Sequence, residues 1–497
     1  MIYVYLINLL TALFNMIIIE QYLHVYQLKD YNLVRFIRYF KKYYWFYCLS
    51  IIIFVLECVF YNWIFIMSAN ACLLVLNILL CSKIISSNKT PLKYTAKIKR
   101  LIIICAVIVL VLNSFSVGAS LSNALIMFTP IIANFLNIYD KLKNKRFIHL
   151  AQEKLTLNSA KIIAITGSNG KTSVKNILYN LLKTKYKVLC SPKSYNTPLG
   201  ISKFINESNV NECDFVILEY GARHIGDVKK LCNTFGADYG IITTIAPQHI
   251  ESFKTIENVC IAKKELSDFL KYDLCVYNLD NIYTLKMYQQ KTGKKLGVSI
   301  HYKCDIFASN IKIKDYKTEF NINFNNKKCK VKTRLLGRHN VTNILLASAL
   351  ATKLGVDIEN IVDAISELNF VPHRLELIKT NINILDDSYN CSIASSREAL
   401  YVLTKFSGKK VVATPGIIEG GKSEFMINFH LGELLSVCDE VIIIGNHNKL
   451  ALATGLGSKN FKNIVYCPTL LDAQNEFKKL NIGDNLLLLN DLPDDYK

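Results

Sequence analysis

Residues 162–182 read IIAITGSNGKTSVKNILYNLL, and two periodicities meet within them. Ile162 to Ile165 is a short continuous apolar run, the pattern of a buried strand. After the turn Gly167-Ser168-Asn169-Gly170, the segment opening with Lys171-Thr172-Ser173 puts Val174, Ile177, Leu178, Leu181 and Leu182 on one helical face. Strand, glycine-bounded loop and helix N-terminus together form a phosphate cradle, because the first N–H groups of a helix are unpaired and its dipole is positive there. In such a loop Lys171 reaches the β- and γ-phosphates, and the Thr172 hydroxyl sits on Mg²⁺. The loop is not the commonest form of the motif, which has a glycine where Ile165 stands. An ordinary glycine turn is the competing reading, and it leaves the Gly-Lys-Thr-Ser run at the helix start unexplained.

Downstream, Asp214 to Glu219 is a buried strand ending in a carboxylate, well placed for Mg²⁺ directly or through water. A further strand, Tyr239 to Thr244, runs into Ile245-Ala246-Pro247-Gln248-His249, and a helix containing Lys263 follows. Strands alternating with helices predict a mostly parallel sheet with its ligand at the strand ends. Short alternating runs, Phe320 to Phe324 and Cys329 to Thr333, predict an antiparallel patch. A helix is expected over Val341 to Leu354, and a second α/β domain after Val371, with strands at Ile382 to Leu385, Lys410 to Ala413 and Glu440 to Ile444.

Upstream, the composition changes. Apolar runs cover Ile2 to Ile19, Tyr44 to Met67, Ala69 to Ile85, Leu101 to Ala119 and Leu121 to Tyr139, each near the ~20 residues that cross a bilayer. The reading is a multi-pass membrane protein of about five spans. The basic residues Lys29 to Lys42, Lys83 to Arg100 and Lys141 to Arg146 would place everything after Tyr139 in the cytoplasm. The expected organisation is an α-helical membrane region over residues 1–150, a P-loop-type ATPase domain with a mostly parallel sheet over 151–370, and a Rossmann-like α/β domain over 371–497. The net charge of +20 comes from lysines spread along the chain without an arginine-rich block, so no nucleic-acid partner is expected. No obligate protein partner is inferred either. The fifteen cysteines form no C-x-x-C pair and read as reduced thiols.

Several separated motifs agree on one resemblance. Thr166-Gly-Ser-Asn-Gly-Lys-Thr-Ser173, Leu218-Glu-Tyr-Gly-Ala222, His249 with Glu251 and Phe253, Ala262-Lys263, Gly337-Arg-His-Asn340 with Asn343, and Leu385-Asp-Asp-Ser-Tyr-Asn390 together resemble the Mur ligases, most closely the MurF type. The resemblance implies an ATP- and Mg²⁺-dependent carboxylate–amine ligase of peptidoglycan precursor synthesis, joining D-alanyl-D-alanine to UDP-N-acetylmuramoyl-tripeptide through an acyl phosphate. It gives the loop Gly167, Ser168, Asn169, Gly170, Lys171, Thr172 and Ser173 to the triphosphate, with Thr172 on the metal. Glu219 and His249 become metal ligands, and Lys263 matches a lysine that the family carbamylates. It further implies that Asn340, Arg374 and Asp387 contact the nucleotide, and that Lys171, Lys263 and His249 form the catalytic group. Taken singly, His249 reads as a surface residue and Lys263 as a solvated helix charge.

Two departures stand out. The membrane region occupies the place of the soluble N-terminal domain of these ligases, and His373 stands where a glycine usually precedes Arg374. Two other readings therefore compete: a MurF-like ligase acting on another, lipid-linked carboxylate, and an ATP-driven membrane transporter.

Overall fold

The computed structural model describes residues 2–28, isolated positions between 31 and 82, and residues 92–113, 129–192, 195–247, 250–270, 273–324, 327–389, 392–418 and 423–490. The chain divides into two compact units, Met1–Asn144 and Lys145–Leu492.

In the first unit the helices Ile2–Leu28 and Ala96–Asn113 bury Leu23, Tyr26, Ile98 and Leu101 in a common apolar cluster. Gln27 clamps the chain beside them, donating to Lys93 O at 2.8 Å and accepting from Lys93 N at 3.0 Å. Among the described residues no helix is long and apolar enough to cross a membrane, which corrects the expected membrane region and its multi-pass localisation. The physical reason is visible in the helices themselves. Ile2–Leu28 carries Glu20, Gln21, His24 and Gln27 in its second half. Ala96–Asn113 carries the cations Lys97, Lys99 and Arg100 in its first turns, and the expected span Leu101 to Ala119 lies outside the described residues from residue 114 onward. The expected spans Tyr44 to Met67 and Ala69 to Ile85 lie outside the described residues apart from isolated positions, as does the first part of Leu121 to Tyr139.

The second unit is built on two sheets. The larger contains β1 (Lys161–Thr166), β2 (Val188–Cys190), β3 (Phe215–Glu219), β4 (Tyr239–Ile242), β5 (Cys275–Asn278), β6 (Lys295–Ser299), β7 (Ile306–Lys314), β8 (Lys317–Phe324) and β9 (Lys327–Thr333), in the order β2-β3-β1-β4-β5-β6-β7-β8-β9. Strands β1 to β6 are parallel, and β3 and β1 are buried along almost their whole length because helices cover both faces. The antiparallel patch read from the sequence is β7–β8–β9, and it extends the same sheet. The helices Lys171–Leu182 and Arg338–Lys353 pack on one face, where Val174, Leu178, Ile344 and Leu345 are fully buried.

The smaller sheet contains β10 (Glu376–Lys379), β11 (Asn383–Asp387), β12 (Lys410–Thr414), β13 (Glu440–Ile444), β14 (Ile464–Cys467) and β15 (Asn485–Leu489), in the order β10-β11-β15-β12-β13-β14. All neighbours are parallel except β10, which pairs antiparallel with β11. That hairpin carries the turn from His373 to Leu375 beside the end of β11, where the two aspartates of the Asp386-Asp387-Ser388-Tyr389 run lie.

Candidate active site

The loop after β1 turns through two glycines of positive φ, Gly167 at 147° and Gly170 at 85°. A Cβ on Gly167 would lie 2.0 Å from Thr243 Oγ1, and one on Gly170 would lie 2.7 Å from Asn343 Oδ1. Both positions therefore require glycine for space as well as for backbone angle. The end of β4 fastens the loop from the side: Ser168 N donates to Thr244 O at 2.7 Å, and Thr243 Oγ1 donates to Asn169 O at 2.6 Å. Lys171 curls over the loop and donates to Gly167 O and Ser168 O at 2.8 and 2.7 Å. Burial lowers the Lys171 pKa, and Glu219 opposes that shift.

Glu219 ends β3, one strand away, and is 1 % exposed. Such a carboxylate needs partners on both oxygens. Thr172 Oγ1 donates to Oε2 at 2.7 Å, and Asn196 Nδ2 donates to Oε1 at 3.1 Å. Behind them, fully buried Lys175 holds its ammonium 3.9 Å from Oε2 while donating to Ser191 O at 2.6 Å. The helix Ile256–Phe269 contributes Lys263, which is 3 % exposed. Burial, and then repulsion from Lys171, brings the Lys263 pKa down to about 7. The solvated-helix reading of Lys263 is thereby excluded.

Asn340 lies in the first turn of Arg338–Lys353, anchored by donation to Leu336 O at 2.8 Å and by Asn343 Nδ2, which donates to its Oδ1 at 3.3 Å. From the smaller sheet, Arg374 Nη2 donates to Thr172 Oγ1 at 3.5 Å, with its guanidinium 4.4 Å over the Tyr389 ring. Asp387 accepts from Leu375 N at 3.1 Å. Burial pushes the Asp387 pKa up to about 7, against the pull of that N–H and of Arg374.

These side chains face one cavity of about 640 Å³, within the range of sites for nucleotide-sized ligands. Ser168 to Ser173, Glu219, Lys263, Asn340, Arg374 and Asp387 all line it, and Gly167 shapes the loop at its edge. His249 and its proposed ligand role lie outside the described residues. The sequence reading did not single out Lys175 or Asn196 as partners of Glu219. The contact of Asn196 with Glu219 is made only in the folded chain.

A phosphate loop, a strand-end carboxylate beside it and an arginine facing both from the edge of the smaller sheet form the arrangement of an enzyme that handles the phosphates of a nucleotide. The Mur ligase middle domain model matches residues 165–351. The UDP-N-acetylmuramoyl-tripeptide--D-alanyl-D-alanine ligase of Buchnera aphidicola subsp. Baizongia pistaciae is 30 % identical over 321 residues, 61 % of this chain and 70 % of the relative. The ligase of the same name from Escherichia coli K12 is 28 % identical over 307 residues, 60 % of this chain and 68 % of the relative. The MurF ligase of Thermotoga maritima, solved in complex with ADP, shares the fold with a TM-score of 0.63 at 24 % identity, covering 70 % of this chain and 80 % of that one. This chain belongs to the Mur ligase family and is an ATP-dependent amide ligase.

Proposed function

We propose that this protein joins D-alanyl-D-alanine to UDP-N-acetylmuramoyl-tripeptide, the reaction for which its curated relatives are named. The observation that carries the assignment of roles is the meeting of Lys171, Thr172, Glu219, Arg374 and Asp387 on one cavity. A carboxylate is a poor acyl donor. Its oxygen first attacks the γ-phosphorus of ATP, ADP leaves, and an acyl phosphate results. The amine of the dipeptide then attacks the acyl carbon, the C–O bond to phosphate breaks, and an amide, phosphate and a proton are released. Phosphoryl transfer of this kind needs in-line positioning and charge neutralisation more than covalent help.

The residues divide that work. Lys171 and the N–H groups at the start of its helix hold the phosphates. Arg374, reaching Thr172 from the smaller sheet, neutralises the same phosphates from the opposite wall. Asn340 and Asp387 hold the rest of the nucleotide. The Thr172 hydroxyl and the Glu219 carboxylate, 2.7 Å apart, are hard oxygen donors of the type Mg²⁺ takes. Bound there, Mg²⁺ would neutralise charge on the transferring phosphoryl group. Lys263 fits such a site only as a carbamate, because an ammonium repels the cation. Its pKa of about 7 leaves a large share of neutral amine at neutral pH, the form that adds to CO₂. Walls drawn from two sheets keep water from the acyl phosphate.

The test is to incubate the full chain with ATP, Mg²⁺, UDP-N-acetylmuramoyl-tripeptide and D-alanyl-D-alanine and to follow products by mass spectrometry. Pentapeptide formed in step with ADP supports the assignment. ADP formation that never depends on both peptides would overturn it.

A further inference from the structure

His373 lines the same cavity as Lys171 and Arg374, yet none of the roles above uses it. Its backbone is left-handed, with φ at 61°, and Leu375 on the other side of Arg374 has φ at 52°. That region is disfavoured for any residue with a Cβ, and bulky residues held there point to a constraint imposed by their surroundings. The end of β11 and the residues after it impose it. Tyr389 N donates to His373 O at 3.2 Å, and Leu375 N donates to Asp387. His373 N donates to Glu376 Oε2 at 3.1 Å. The Asp386-Asp387-Ser388-Tyr389 run thus clamps the turn that presents Arg374.

The clamp also fixes a ring. His373 Nδ1 lies 2.8 Å from Asp386 Oδ2, while Asp386 is 6 % exposed and accepts from Ser388 N at 3.0 Å. The His373 side chain remains 59 % exposed. A buried carboxylate accepting from Nδ1–H orients the ring, so that Nε2, on the opposite edge, is not used by that contact; in the imidazolium it carries a second N–H.

We propose that His373 is a nucleotide-binding residue: its ring, oriented by Asp386, donates as the imidazolium from Nε2–H to a phosphate oxygen of bound ATP beside Arg374. The inference rests on the assignment of this cavity to ATP. A metal on the same side chains is the alternative, since His373, Glu376 and Asp386 bring ligand atoms within 4.8 Å of one another. Against it, Nδ1 and Oδ2 already contact each other, Glu376 is engaged with a backbone N–H, and the adjacent guanidinium of Arg374 repels a cation. An anion suits these surroundings better.

Glycine and asparagine both tolerate a left-handed backbone, so His373→Gly and His373→Asn keep the turn while removing the imidazole. ATP and ADP affinities would be measured by calorimetry on the full chain, alongside KM and kcat in the ligase assay, with Lys171→Ala as the control for the cavity itself. The expected result is an ATP KM and a nucleotide Kd raised about tenfold in both variants, the size of one charged hydrogen bond, with a smaller change in kcat. Unchanged nucleotide affinity in both variants, with affinity lost in Lys171→Ala, would overturn the role of His373 alone. Unchanged affinity in Lys171→Ala as well would instead remove the ATP assignment of the cavity. A divalent metal found in the wild-type protein by elemental analysis and lost in both variants, with ATP affinity unchanged, would assign the three side chains to a metal and overturn the proposal.

Discussion

Thr172 Oγ1 donates a 2.7 Å hydrogen bond to Glu219 Oε2, joining the first turn of the phosphate-loop helix to the end of the neighbouring strand. The two residues are far apart in sequence and share no local signal. Parallel pairing brings them together, because Ile165 at the end of β1 sits in register with Glu219. Glu219 is also the counter-charge of fully buried Lys175.

Glu219→Gln is therefore expected to act twice. Turnover should fall by about a hundredfold or more, the scale on which a group stabilising transition-state charge is lost. Removing the carboxylate charge while Lys175 stays buried should also cost about 3 kcal/mol of stability. Urea unfolding and the ligase assay measure the two effects separately. Normal turnover in this variant would remove Glu219 from the site.

Lys263→Ala tests the carbamate directly. The variant should be inactive, and a short carboxylate such as formate in the buffer should partly restore turnover by supplying the missing oxygen ligand. Full activity without rescue would exclude a metal-binding role for Lys263.

The phosphate loop was legible because strand, glycines and helix face are all local signals, and Gly167 and Gly170 occupy the two turns that require them. Glu219 was legible as a polar stop to an apolar strand. Asn340, Arg374 and Asp387 were reached through the family resemblance alone, because no periodicity marks a residue that reaches the site from the start of another helix or from another sheet. The contacts of Lys175 with Ser191 and Glu219, and of His373 with Asp386, depend on pairing between distant segments and leave no sequence trace. The N-terminal region was misread for the opposite reason. Hydropathy registers apolar length but not the polar residues that share a helix with it: Lys97, Lys99 and Arg100 precede Leu101 in one described helix, and Glu20, Gln21, His24 and Gln27 follow Ile19 in the other.

Asp387 predicts a pH dependence. Its folded pKa, about 7, stands above the ordinary carboxylate value of 3.8. Between those two values the folded state binds more protons than the unfolded state, so stability falls as pH rises through this window. Asp387→Asn keeps an Oδ1 to accept from Leu375 N and cannot ionise. The melting temperature of the variant, relative to wild type without nucleotide, should rise from pH 4 to about pH 7 and then level off. A difference that stays constant across this range would remove the proposed ionisation.

The central claim is that the peptide carboxylate is activated by direct phosphoryl transfer. With the tripeptide carboxylate labelled with ¹⁸O, the attacking oxygen becomes the bridge of the acyl phosphate and departs with phosphate when the amide forms. Mass spectrometry of the inorganic phosphate should find one ¹⁸O for each amide made by the full chain with ATP, Mg²⁺ and D-alanyl-D-alanine. Unlabelled phosphate accompanying amide formation would contradict the account.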